Sequence, residues 1–155
     1  MSKKPYVERT DLEKLQSQWH KLSGLHSREE WSAAIVRAAT AAEIAANFAV
    51  RAEFAEQSDL SPGFVNIQLR LANGLAGKIE RLLIPLTEQN KKRYKIMKAL
   101  QARAEKINKI RNAIAHQGEF CSEEEAKGAI ASAHLLITDL VQVYHPDFAL
   151  EERSC

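Results

Sequence analysis

The chain has 155 residues, enough for one domain that buries a core without staples. Apolar residues make up 45% and charged residues 27%, which excludes a disordered chain. The net charge of +2 gives no overall pull on nucleic acid, so any such pull must come from how charge is distributed. Two cysteines, Cys121 and Cys155, and five scattered histidines form neither a disulfide framework nor a zinc pattern. No metal and no cofactor is expected. The N-terminus lacks the apolar run of a signal peptide. The most apolar stretch, Ala33 to Val50, is interrupted by Arg37, Glu43 and Asn47. A soluble, cytoplasmic protein with no membrane partner is expected.

Glycine and proline are scarce, while Ala, Leu, Glu, Lys, Gln and Arg abound, which favours helix throughout. A first helix is expected from about Thr10 to Leu22, with Leu12, Leu15, Trp19 and Leu22 at helical spacing and Ser23-Gly24 as its stop. A second starts near Ser27, where Ser27 and Glu30 can form a capping box, and runs to about Gln57. Its many alanines would let neighbouring helices come close. Ser61-Pro62 signals a third helix, extending to about Leu83 before Pro85 breaks it. A fourth runs from Thr87 or Glu88 to near His116, stopped by Gln117-Gly118. Ser122 and Glu125 form a second capping box, opening a fifth helix that ends near Tyr144. The expected fold is all-α, a four- to five-helix up-and-down bundle in a single domain spanning 1–155. Residues of about 1–9 and 148–155 are expected to be flexible ends. Trp19, Trp31, Phe48, Phe54, Phe64 and His134 read as packing residues.

On a helical wheel of the fourth helix, Ile96, Leu100, Ala104, Ile107, Ile110 and Ile114 form one apolar face. Asn112 and His116 share a face roughly opposite. Arg111 lies at the edge of the apolar stripe, roughly 140° from His116. Between Glu88 and Arg111 there are nine basic and two acidic residues, a local charge of +7. Such a field attracts a polyanion, and Lys98, Lys106 and Lys109 are candidate RNA contacts. It is equally what a solvated helix face would carry, its lysines paired with acids such as Glu123 to Glu125. Glu43, acidic on an otherwise apolar helix, is a candidate supporting residue that could pair with Arg111.

The stretch Arg111-Asn112-Ala113-Ile114-Ala115-His116 resembles the signature of the HEPN superfamily: arginine, a polar residue, three variable residues, histidine. It stands on the penultimate helix of an all-α chain, before a glycine turn and a capped last helix. The resemblance implies a homodimer whose composite site forms where two signature helices meet. That meeting would bring Arg111 and His116 of both copies together despite their divergence on one helix. It implies metal-independent RNA cleavage, with Arg111, Asn112 and His116 as catalytic residues, RNA as substrate and no cofactor. Stand-alone members resemble toxins of toxin–antitoxin pairs or antiphage effectors, restrained by an antitoxin or other regulatory protein. Toxins regulated by adenylylation often carry a tyrosine two residues after the histidine. Gly118 stands there, so that regulation is not implied. The alternatives are a non-catalytic HEPN module that dimerises and binds RNA or nucleotide, and a plain helical adaptor.

Overall fold

A computed structural model describes residues 9–27, 30–117 and 121–151, without the side chains of 23, 24, 26, 27, 116 and 117. The described residues contain helices and no strands. They are α1 (Asp11–Ser27), α2 (Trp31–Gln57), α3 (Pro62–Leu71), α4 (Leu75–Lys78), α5 (Ile84–Leu86), α6 (Lys91–Gln117) and α7 (Glu123–Gln142). A π-helical turn, Ile79–Leu83, joins α4 to α5.

The four long helices make the bundle, and their cross-links fix its topology. Arg51, late in α2, binds Asp11 at the start of α1, and Arg37, early in α2, binds Gln18. Those two helices are therefore antiparallel. Glu53 late in α2 meets Arg93 early in α6, so that pair is antiparallel too. Arg103 meets Asp139, and Ile110 packs beside Ala126 and Ala129, which sets α7 antiparallel to α6. The long helices thus alternate up and down.

At the centre is α2, which packs against every long helix and α4. That position explains its composition. Ala34, Ala38, Ala41, Ala42, Ala45 and Ala49 are buried, and no larger side chain would let so many neighbours approach one helix. By length and composition α2 is apolar enough to cross a bilayer, yet most of it is buried inside the bundle. The core is completed by Leu15 and Trp19 from α1, Met97, Leu100, Ala104 and Ile107 from α6, and Leu136, Ile137 and Leu140 from α7. His134 stacks edge-on against Trp19, as a packing histidine should.

Local chemistry sets the helix ends. Thr10 caps α1 with Glu13 returning the bond. The helix does not stop at Ser23-Gly24. It continues to Ser27, because Leu25 still packs on the core and a helical glycine costs only about 1 kcal/mol. The expected Ser27–Glu30 box does not open α2, since Ser27 belongs to α1 and the N-cap of α2 is Glu30. Ser61 caps α3 as expected, and the Ser122–Glu125 box caps α7. Asn90, whose Oδ1 accepts from the Arg93 amide at 3.2 Å, moves the start of α6 to Lys91.

Four further expectations are corrected. The third helix is not continuous to Leu83: it breaks at Ala72-Asn73-Gly74, where Gly74 takes φ +81°, a conformation nearly closed to other residues. Nor does Pro85 end helical structure before it. The wider π turn precedes it, which relieves the clash between a proline ring and the carbonyl four residues back. The stretch 148–151 is not a loose end. Phe148 and Leu150 are buried, and Glu151 exchanges hydrogen bonds with Gln16. Phe64 is also not core: with Ile67 and Leu71 it lies on the exposed side of α3, and Leu60 just before that helix is exposed too. The remaining expected ends, residues 1–8 and 152–155, lie outside the described residues.

Candidate functional site

The second half of α6 is held by two apolar anchors. Ile107 belongs to the main core. Ile110 and Ile114 pack on a smaller cluster of Ile35, Ala126 and Ala129. With that stripe turned inward, Asn108, Arg111 and Asn112 follow one another at helical spacing along its flank. All three are half-buried. They form one wall of a cleft of about 380 Å³. Thr40 and Glu43 of α2 form the second wall, and Asn73 and Gly74 at the α3–α4 break form the third.

Arg111 donates to Asn112 Oδ1 at 3.4 Å. Among the described residues it meets no carboxylate, so its fork faces the cleft without an ionic partner. Glu43 was a candidate partner for it. Instead Glu43 Oε1 binds Lys78 Nζ at 2.6 Å. The reason is burial. The Lys78 side chain is 6% exposed, and an ammonium so placed requires a charge partner, whereas Glu43 at 37% reaches both the lysine and the cleft. Glu43, Arg111 and Asn112 nevertheless share the cleft. His116 lies one turn further along α6, and its side chain lies outside the described residues.

Lys98, Lys106 and Lys109 are exposed on α6, and none of them forms an ion pair among the described residues. Lys106 borders a groove with Glu125, while the Glu123 carboxylate is taken by Lys127 within α7. Two other basic residues of this helix are paired, Arg103 with Asp139 and Arg93 with Glu53 and Glu56. Part of the +7 is therefore neutralised within the fold, and the exposed lysines keep their charge for solvent or ligand. No group of three His, Cys, Asp or Glu side chains comes together among the described residues.

Sequence reasoning missed Lys78 and Asn73. Lys78 could have been noticed as a lysine between Leu75 and Leu82 on one apolar stripe. Asn73 is legible only where the Asn-Gly pair is taken as a helix break. A buried carboxylate was also missed. Glu53 is 1% exposed and accepts from Tyr144, Gln57 and Arg93 at the far end of the bundle. The phenol of Tyr144 is pushed far above its ordinary range, first by burial and then by its bond to Glu53. The Arg93 guanidinium is raised too, first by its bond to Glu56. This network ties α2, α6 and the end of α7 together, and its polar atoms are occupied by one another.

Compared with protein-family models, with curated proteins and with solved structures, the chain matches none of them.

Proposed function

We propose that the protein is a metal-independent endoribonuclease of the HEPN type, acting as a homodimer. The observation that carries this reading is the placement of Arg111 beside Asn112 on the wall of a polar cleft, its guanidinium forming no ion pair among the described residues. A guanidinium without an internal partner suits a phosphodiester, onto which it can fork two donors. The motif order then gives His116 the proton transfers.

In the proposed reaction the RNA 2′-oxygen attacks the adjacent phosphorus while one His116 removes its proton. Arg111 stabilises the extra charge on the phosphorane. The bond to the 5′-oxygen breaks, and that oxygen takes a proton from the second His116. Asn112 orients the histidine or holds a phosphate oxygen. The products are a 2′,3′-cyclic phosphate and a 5′-hydroxyl, and DNA is not cut. The cell-level reading is a cytoplasmic toxin or antiphage effector, restrained by a partner protein.

The test is incubation of labelled tRNA and mRNA with the purified protein in EDTA, beside His116→Ala and Arg111→Ala. Cleavage that leaves cyclic phosphate ends and is lost in both variants supports the reading. Cleavage that survives both variants overturns it. A folded dimer that binds RNA and never cuts it would instead be a non-catalytic HEPN module.

A further inference from the structure

We propose that the cleft beside Arg111 is a nucleobase subsite that selects a base bearing an exocyclic amino group over uracil. The inference rests on the ribonuclease reading for its substrate, RNA, but not on turnover.

The argument begins with Glu43. Lys78 holds its Oε1 at 2.6 Å, and Lys78 is itself almost wholly buried between the π turn and α2. The carboxylate is thereby fixed on the cleft wall while still more than a third exposed. A carboxylate is an acceptor only. Whatever binds against it must present a donor. Cytosine N4, adenine N6 and guanine N2 are donors that project from the base edge, whereas position 4 of uracil is a carbonyl, which a fixed carboxylate repels; the N3–H of uracil is a donor too, but it lies recessed between two carbonyls.

Two amides complete the subsite. Asn108 lies one helical turn before Arg111 and Asn112, and Asn73 faces it from the α3–α4 break. Neither side chain has a hydrogen-bond partner among the described residues, so each keeps a donor pair and an acceptor for the edge of a base. The helix break explains itself on this reading. α3 ends at its C-cap Ala72, Gly74 at φ +81° is the N-cap of α4, and Asn73 between them stands on the rim of the cleft. A hypothetical Cβ on Gly74 would already stand 3.7 Å from Asn108 Oδ1, so the bare glycine keeps that corner open. A cleft of about 380 Å³ has room for one base. The phosphate would lie on Arg111 and the base against Glu43, which is how single-stranded RNA is read by proteins that hydrogen-bond splayed bases at their edges.

Cytosine and uracil provide the cleanest comparison because they differ at position 4 and in the adjoining N3. The experiment measures binding of fluorescent ten-nucleotide oligo(C) and oligo(U) to the His116→Ala protein, with and without Glu43→Gln. Oligo(C) is expected to bind about tenfold more tightly than oligo(U). Glu43→Gln, which can donate as well as accept, is expected to bring the ratio close to one. Lys78→Met, which frees Glu43 to turn away, should reduce it partway. If Lys78→Met does not fold, Glu43→Gln with circular dichroism matching the parent decides the matter alone. Equal binding of the two oligonucleotides, no binding of either, or a ratio untouched by Glu43→Gln overturns the proposal. Selective binding by a protein that never cleaves RNA would leave the subsite standing and remove only the ribonuclease reading.

Discussion

The Tyr144 hydroxyl donates to Glu53 Oε1 at 2.7 Å, tying the turn after α7 to a carboxylate near the end of α2 that is 1% exposed. Arg93 lies over the Tyr144 ring at 5.1 Å and binds the same carboxylate at 3.2 Å. Three elements therefore meet on one buried charge.

Removing that charge should be expensive. In Glu53→Ala the tyrosine hydroxyl loses its acceptor and Gln57 loses one of its two, while Arg93 keeps Glu56. The expected loss is about 2–3 kcal/mol, below the range for stranding a wholly buried partner because Arg93 is not stranded. Tyr144→Phe, which removes only one donor, should cost about 1 kcal/mol. Urea denaturation of the two variants checks the order. Equal losses would show that the carboxylate matters only as the tyrosine's acceptor.

The same tyrosine predicts a pH dependence. Its phenol is raised from 10.0, chiefly by burial, then by its bond to Glu53 and the charge there. The unfolded chain releases this proton near pH 10, while the folded chain retains it well above. Above about pH 10 the unfolded state therefore binds fewer protons, and stability falls as pH rises. Below pH 10 this group contributes no slope. Wild type and Tyr144→Phe should show stabilities that differ by a constant below pH 9 and converge above pH 10. Curves that stay parallel to pH 11 would refute the assignment.

What the sequence made legible follows from the range of the forces involved. The long helices follow from apolar residues recurring every three or four positions, and the caps at Ser61 and Ser122 follow from bonds spanning three residues. The placement of Arg111 at the edge of the α6 stripe follows from the same periodicity. That Lys78 meets Glu43 and Tyr144 meets Glu53 does not, because those partners stand 35 and 91 residues away. Periodicity marks a charge on an apolar face without naming what meets it. The break at Asn73-Gly74 was hidden for another reason: the apolar residues on either side, Leu69 and Leu75, continue the pattern as if nothing intervened.

That break yields a stability prediction. Gly74 combines φ +81° with ψ 162°, a region essentially reserved for glycine. An added Cβ would meet Asn108 Oδ1 only at ordinary contact distance, so the cost is in the backbone. Gly74→Ala should lose about 1–3 kcal/mol. If instead it is neutral, the turn has another low-energy form and does not hold Asn73 in place. Thermal denaturation of the single variant settles which.

The exposed lysines of α6 should act through charge alone. Lys98, Lys106 and Lys109 line no part of the Arg111 cleft. Each phosphate that a lysine neutralises releases a counterion, which steepens the fall of affinity with salt by about 0.7 logarithmic units per contact on single-stranded RNA. Replacing all three by alanine should therefore flatten the plot of log affinity against log salt by about 2, if each meets one phosphate. The proposed preference for oligo(C) over oligo(U) should survive, because the residues proposed to select the base are Glu43 and its neighbours. A titration across 50–300 mM salt separates the two contributions. An unchanged slope would mean that these lysines form a solvated face and that the polyanion runs elsewhere. A lost base preference would mean that they also orient the strand over the cleft.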